Sequence, residues 1–270
     1  MKYVVDNDLH IHSNLSSCSK DPEQTPERIL QYAKDNGLKT ICLANHFWDE
    51  NVEGAAGWYQ PQNYQHLSKA KPLPKADGIK FLFGCEAEMD KNFTLGIARE
   101  TFDKFDFVVI SFTHFHMVGF TIAEQDNNVE QKAKLWVKRF SALLNMDLPF
   151  NKIGIAHLTC THLAKSVEER AKLLDLIDDA DLIRLFNKAA KLGVAIEINR
   201  SDMIALGENA PSILRIYKIA KECGCKFYCA SDAHRVNAFD TAKSVLQTAV
   251  DAIGLTEEDK FHLSIDSENL

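Results

Sequence analysis

Short apolar runs rich in β-branched residues alternate with longer segments of helical periodicity along the whole chain. The runs predict seven strands, at residues 3–10, 39–44, 79–84, 105–111, 152–157, 193–199 and 226–231. The segments between the strands contain residues typical of helix starts. In Thr25-Pro26-Glu27 an N-cap residue is followed by a proline at the first helical position and by an acid in the first turn. Strands that alternate with helices are typical of a parallel α/β architecture. Because no Pro/Gly/Ser-rich linker divides the pattern, we expect one domain over residues 1–270.

The loosest segment is residues 49–78, which holds three prolines, two tyrosines and a tryptophan. It is too long for an ordinary connection, so we expect a lid or a loop on the substrate side. A surface excursion that contains a short helix is an equal alternative.

Composition and charge narrow the class of protein. The net charge is −7 and the sequence pI is about 5.8, which argues against a protein that grips nucleic-acid phosphates. We expect no secretory signal, since acidic residues occur within the first six positions, and no membrane span, since no apolar run approaches about 20 residues. The seven cysteines lie mainly in apolar runs and predict reduced thiols in a cytoplasmic protein. Self-association is left open.

Candidate chemistry lies at the carboxyl ends of the predicted strands. Each end carries a metal-capable or polar group: His10 and His12, then His46, Glu86 with Glu88, His114 with His116, His157, Glu197 with Asn199, and Asp232 with His234. In parallel α/β barrels these ends share one face, where active sites lie. The joint pattern therefore predicts a metal cluster, although a solvated carboxylate is favoured for Glu88.

The ligand types indicate which metals the cluster binds. Imidazoles with carboxylates suit Zn, Mn or Fe better than Ca or Mg, and the number of imidazoles implies two or three divalent ions. Glycine-rich nucleotide-binding motifs and a G-x-S-x-G elbow do not occur in the sequence. The usual sequence motifs of nucleotide binding and of serine hydrolases are therefore missing.

The motifs DLHIHS, ANH, GCEAE, SFTHFH, GIAHL and SDAH follow one another in this order. Together they resemble the PHP (polymerase and histidinol phosphatase) superfamily of metallohydrolases, over essentially the whole chain. The resemblance implies a distorted, TIM-like, seven-stranded (β/α)7 barrel with its active site at the carboxyl ends of the strands. It also implies a trinuclear metal centre and phosphoesterase activity.

The resemblance assigns metal ligands by position. One metal takes His10, His12, Glu86 and Asp232; a second shares Glu86 and adds His114 and His157; a third takes His46 and His234. The family usually supplies the third metal with one more ligand, near the position where this chain has Cys18. There are three alternatives: Cys18 is a thiolate ligand, Asp21 reaches the metal instead, or the third site is weak. A weaker or altered third site is favoured.

Further residues are expected around the metals. Asp8 is predicted to orient a ligating histidine from behind. His116 is predicted to contact substrate or to support a ligand, and Arg200 and Arg235 are the best-placed cations for a phosphate. For both arginines an ordinary surface role is the alternative.

The predicted function is hydrolysis of a small phosphate monoester by a metal-bridging hydroxide, with Asp232 or a water near His234 protonating the leaving group. A compact, free-standing barrel resembles histidinol-phosphatases more than polymerase-attached domains. A phosphodiesterase or nuclease that acts on nucleotides or short oligonucleotides is the first alternative. A metal-binding scaffold that has lost catalysis is the second.

Overall fold

The computed structural model of the chain describes residues 1–204 and 210–263. Within these ranges the strands are β1 (Asn7–Ile11), β2 (Thr40–Leu43), β3 (His46–Phe47), β4 (Lys80–Glu88), β5 (Phe107–Ser111), β6 (Ile153–Ala156), β7 (Ala195–Asn199) and β8 (Lys226–Ala230). The α-helices are α1 (Pro26–Asn36), α2 (Tyr64–Leu67), α3 (Val129–Leu143), α4 (Val167–Asp175), α5 (Asp179–Leu192), α6 (Arg200–Ile204), α7 (Ala210–Glu222) and α8 (Phe239–Ile253). Every predicted strand is present.

The main strands are all parallel, in the order β1-β2-β4-β5-β6-β7-β8. The carboxyl end of the first strand meets the loop after the last strand, where the Asp232 amide donates to the His10 carbonyl at 2.8 Å and the His12 amide to the Ala233 carbonyl at 3.1 Å. The sheet thereby curls into a nearly closed barrel of seven parallel strands. The predicted TIM-like (β/α)7 barrel is confirmed.

Local sequence signals set the helix boundaries. In α1 the Thr25 side chain accepts from the Arg28 amide, Pro26 opens the first turn, and the helix ends at Gly37 with a φ of 61°, in the left-handed region that glycine adopts without strain. Buried residues of the helices and of the outer strand faces form one large core. A second cluster fills the barrel interior and includes Leu9, Phe107 and Tyr228.

Strand β4 differs from the prediction in a way that matters for the site. The apolar run suggested an end at residue 84, but the strand continues to Glu88. On one side it pairs with β5 as far as Glu88, which lies opposite Ser111. On the other side it pairs with β3, a two-residue strand that the sequence pattern did not reveal, which places His46 opposite Glu86. The acidic residues of GCEAE therefore belong to a paired strand.

The segment 49–78 contains the short helix α2 and a 3-10 turn at Ser68–Ala70. It returns to the barrel mouth, where Trp58 and Tyr59 line a cavity. Its action as a lid stays a prediction. Among the described helices, none is long and apolar enough to cross a membrane.

Candidate metal centre

The side chains that the sequence singled out as metal ligands converge at the carboxyl end of the barrel. They come from β1 and the loop after it, β3, β4, the loops after β5 and β6, and the loop after β8: His10, His12, His46, Glu86, His114, His157, Asp232 and His234. Six of them line or approach one cavity of about 400 Å³. Their service as ligands remains a prediction that the geometry supports.

Glu86 lies at the centre of the group and is only 1% exposed. Its Oε2 is 2.8 Å from His46 Nδ1 and 3.4 Å from His10 Nε2. Its Oε1 is 3.3 Å from His157 Nε2. One carboxylate thus presents an oxygen to imidazoles on both of its sides, which is the geometry expected of a bridging ligand.

Unpartnered buried atoms test whether the residues fit a metal. Both carboxylate oxygens of Glu86, Oδ1 of Asp232 and Nδ1 of His46 are buried without a partner in hydrogen-bonding geometry. His10 Nε2 and His12 Nε2 face each other at 3.1 Å. Buried polar atoms are normally satisfied, so a shared cation explains this concentration of lone pairs and charge better than an apolar core does.

The donor atoms form four overlapping sets in which every atom lies within 4.8 Å of the others. The sets are His12–Cys18–His46–His234, His10–His157–Glu197, His10–His12–Glu86, and Glu86–His114–His157. They mix imidazoles with carboxylates and include one thiol, which is the donor chemistry of divalent transition metals. The residues present therefore fit a divalent-metal centre.

Two buried carboxylates orient the imidazoles. Glu197 Oε1 lies 2.7 Å from His10 Nδ1, and Glu88 Oε2 lies 2.6 Å from His114 Nδ1. In each pair the second ring nitrogen, Nε2, stays free for a metal. Glu88 is 1% exposed, so the favoured interpretation of it as a solvated carboxylate is wrong.

Asp8 does not orient a ligating ring as predicted. Its Oδ1 accepts from the Ser231 amide at 2.9 Å, and its Oδ2 accepts from the Tyr32 hydroxyl at 3.1 Å on helix α1. The pairing register of β1 shifts between Asp8 and Ile11, which breaks the alternation that would have placed Asp8 and His10 on one face. Asp8 instead joins β1 to the end of β8.

Two residues of the site have unusual backbone conformations. His157 has a φ of 61° and Asp232 a φ of 49°, both in the left-handed region that non-glycine residues rarely adopt. The His157 amide donates to Glu197 Oε2 at 3.0 Å, which helps to hold this conformation. Such strain is typical of functional sites.

Imidazoles and carboxylates of the site shift one another's pKa values. Burial acts to lower the pKa of His10, but the carboxylates of Glu86 and Glu197 outweigh it and hold this pKa well above its usual value. Burial acts to raise the pKa of Asp232, but His10 and His234 hold it well below its usual value. A metal ion needs the unprotonated form of an imidazole such as that of His10, so protons and metal ions compete for this site.

The thiol of Cys18 lies in the same environment. Burial acts to raise its pKa, but hydrogen bonding to His234 and His46 outweighs burial and lowers this pKa to about 6. The structure thus brings Cys18 into the cluster. Asp21 lies apart from it, where its carboxylate accepts from the amides of Glu23 and Val236.

The mouth of the cavity combines apolar and imidazole side chains. Trp58, Tyr59 and Met117 line it together with His116 and His162, whose ring centroids lie 4.1 Å apart with the planes tilted by 35°. Burial and neighbouring histidines lower the pKa of His116 to about 3 and that of His162 to about 4, so both rings are neutral at pH 7. They offer hydrogen bonds rather than positive charge.

The two arginines lie outside the lining of this cavity in the described part of the chain. Arg200 donates to the Thr241 hydroxyl of α8 at 2.9 Å, and Arg235 is exposed beside Asp21. Their contact with a phosphate stays a prediction, as does the surface alternative.

The sequence pattern placed Glu197 among the metal-capable groups at the strand ends without a specific role, and it assigned no role to His162. In the structure Glu197 lies within β7 and orients His10, and His162 lines the cavity. Residues Trp58 and Tyr59 carry no signal of their role in the sequence, because only the path of the 49–78 segment brings them to the cavity.

A TIM-like barrel with a histidine- and carboxylate-lined metal centre at its carboxyl end defines a metal-dependent hydrolase-type scaffold. The family model of the PHP domain matches residues 8–201, which contain all but the last ligands. The chain belongs to the PHP domain family.

Solved structures share this fold. Histidinol phosphate phosphatase from Lactococcus lactis, complexed with zinc, L-histidinol and phosphate, is 18% identical with a TM-score of 0.63, over 96% of this chain and 100% of that chain. A protein from Listeria monocytogenes assigned as a histidinol phosphatase is 15% identical with a TM-score of 0.62, over 88% of this chain and 98% of that chain. At these identities the likeness shows the fold. Among curated protein sequences, none matches this chain.

Proposed function

We propose that this protein is a metal-dependent phosphatase that hydrolyses small phosphate monoesters, in the manner of a histidinol-phosphatase. The observation that carries the proposal is the set of overlapping metal-ligand groups at the floor of a cavity of about 400 Å³. That volume suits a small molecule. The structurally similar Lactococcus protein, which binds zinc, L-histidinol and phosphate, supports the same class of substrate.

The centre would hold two to three divalent ions, Zn, Mn or Fe. His10, His12, Glu86 and Asp232 would hold the first ion, Glu86 would be shared with a second ion held by His114 and His157, and His46 and His234 would hold a third. Bound ions supply an activated water nucleophile and neutralise the phosphoryl oxygens. Asp232, held ionised by the surrounding imidazoles, is better suited to ligation than to protonating the leaving group.

The protein's own side chains position the substrate. His116 and His162 lie at the mouth as neutral hydrogen-bonding groups, within the same cavity as the ligands. Trp58, Tyr59 and Met117 form an apolar wall that is suited to the carbon skeleton of the alcohol. No lysine or arginine among the described residues lines the cavity, which favours a small monoester over a polynucleotide track.

Phosphate release tests the proposal. Purified protein with Zn²⁺ or Mn²⁺ is expected to release phosphate from one member of a monoester panel that includes histidinol phosphate, and to act poorly on the corresponding diesters. The variant His10→Ala/His12→Ala should lose at least 100-fold in kcat/KM, an order-of-magnitude expectation for losing first-metal ligands. His262→Ala, an exposed histidine away from the centre, is the matched control and should keep full activity.

The other outcomes each favour a named alternative. If the protein hydrolyses diesters and not monoesters, it is a phosphodiesterase and the phosphatase proposal is wrong. Two or three bound metals per chain without any turnover would favour the non-catalytic scaffold. Absence of bound metal after reconstitution would overturn the metal centre itself.

A further inference from the structure

The cysteine subsite is the group formed by His12, Cys18, His46 and His234. Its donor atoms all lie within 4.8 Å of one another. The His12 ring lies 4.6 Å from that of His46 and 4.1 Å from that of His234, between centroids. Three separate segments of the barrel mouth therefore meet at one thiol.

Cys18 differs in its surroundings from the other cysteines. Cys42, Cys85, Cys160, Cys225 and Cys229 are fully buried, and all seven cysteines are free thiols. Cys18 is half-buried and lines the cavity beside imidazoles. Its position is that of a group that faces a ligand, whereas a cysteine that only fills the core faces apolar side chains.

A second observation is an unsatisfied imidazole of the cysteine subsite. His46 is 8% exposed, and its Nδ1 is buried 2.8 Å from Glu86 Oε2 without hydrogen-bonding geometry, which a cation between the subsite and Glu86 would explain. Ser16 supports the subsite from behind, since its hydroxyl lies 3.2 Å from His12 Nδ1 and 3.4 Å from Cys18 Sγ. Such outer hydrogen bonds are typical of groups that fix metal ligands in place.

We propose that Cys18 ligates the third metal through sulfur, together with His46 and His234, which makes the cysteine subsite selective for zinc over manganese. On binding, the thiol releases its proton to solvent and the sulfur donates an electron pair to the ion. A thiolate with imidazoles suits Zn²⁺, while Mn²⁺ prefers oxygen ligands. The inference rests on the metal centre of the proposed phosphatase and names one of its ligands.

Cobalt substitution gives a readout that is independent of activity. The Co²⁺-loaded protein is expected to show a near-ultraviolet sulfur-to-cobalt charge-transfer band, which the Cys18→Ser variant loses. Cys223→Ser, at the half-exposed cysteine after α7, is the matched control and should keep the band. In the zinc-loaded protein, X-ray absorption should find a sulfur scatterer at about 2.3 Å, absent in Cys18→Ser.

A second variant distinguishes the loss of the sulfur ligand from the loss of the whole metal site. Cys18→His replaces the thiol by an imidazole, so it is expected to keep the same number of metals per chain while losing the charge-transfer band. Cys18→Ala should lose one metal per chain. Full cobalt occupancy without the band, or an equal band in Cys18→Ser, would overturn the proposal.

Phosphate release measured on the same preparations separates this inference from the proposed function. Turnover without any sulfur signature would overturn the assignment of Cys18 and leave the phosphatase intact. A sulfur signature without turnover would support the assignment of Cys18 and count against the phosphatase.

Discussion

Single carboxylates decide how the ligands of this barrel are presented. Glu86 offers both oxygens to imidazoles, while Glu197 and Glu88 lie behind His10 and His114 and fix their ring orientation. All three are at most 1% exposed, so their charges act in a poorly solvated setting.

Replacing Glu197 by glutamine tests its orienting role. The change preserves shape but removes the negative charge that holds the His10 ring through Nδ1. We expect metal affinity to fall by about 10- to 100-fold, the usual cost of losing such a partner. Competition with a chromogenic chelator measures it, and the exposed Glu222→Gln is the control. Equal metal affinities of the wild type, Glu197→Gln and Glu222→Gln would contradict the orienting role of Glu197.

Asp202 predicts a pH dependence of stability. It is 1% exposed, accepts from the Thr159 hydroxyl at 3.2 Å through Oδ2, and has no partner for Oδ1. Burial raises its pKa from 3.8 to about 6. Because the folded-state pKa is the higher one, the contribution of Asp202 to stability is present below the unfolded pKa and is lost as pH rises through about 6.

In the Asp202→Asn variant the side chain at position 202 is uncharged at every pH, so its contribution to stability does not fall as the pH rises. The free energy of unfolding of the wild type, minus that of the variant, should therefore fall by on the order of 2 kcal/mol between about pH 4 and pH 7. Urea unfolding of both proteins with a chelator present measures the difference. Parallel pH profiles would show that the carboxyl titrates normally.

At the scale of elements, close packing inside the barrel sets the strand geometry. Strand β6 pairs with β5 and β7 and carries Gly154, whose position faces the rings of Phe107 and Tyr228. An added Cβ would lie 2.5 Å from the Tyr228 ring and 2.6 Å from the Phe107 ring. The small residue lets aromatic side chains fill the interior beneath the metal centre.

Gly154→Ala is expected to destabilise the protein by about 1–3 kcal/mol, because buried rings must shift to admit the methyl group. Thermal or urea unfolding measures the loss. Gly57→Ala is the matched control, since an added Cβ there meets nothing within 4 Å, and its effect should stay within about 0.5 kcal/mol. Similar stabilities of the two variants would contradict the tight packing.

On the scale of the whole molecule, the metal centre ties together strands that are far apart in sequence. Its ligands extend from His10 to His234, and the contact between β1 and β8 that nearly closes the barrel lies directly beside them. Ions that bind the folded state and not the unfolded chain add to the free energy of unfolding by mass action.

Removal of metal is therefore expected to lower the melting temperature. With free metal at a hundredfold excess over its dissociation constant, one site adds about 3 kcal/mol. Calorimetry with and without a chelator measures the shift, and the His10→Ala/His12→Ala variant is the control that should respond much less. An unchanged melting temperature of the wild type on chelation would contradict tight binding to the folded state.

The parallel α/β architecture was predictable because alternating strand and helix patterns are local and repeat along the chain. The position of the histidines after the strands follows from the same pattern, whereas the seven-stranded barrel was expected only from the resemblance to the PHP superfamily. The extension of β4 to Glu88 was not predictable, because it depends on pairing with β5 and with the two-residue strand β3.

The sequence by itself determined which residues could meet, since strand phase and residue type place imidazoles and carboxylates at one end of a parallel barrel. Only the tertiary structure decided what each one does. A register shift in β1 turned Asp8 away from His10, and Glu197 from a distant strand took the orienting role. The path of residues 49–78 brought Trp58 to the cavity. Periodicity fixes the face of an element, but contacts between distant elements depend on register and packing, which no local pattern encodes.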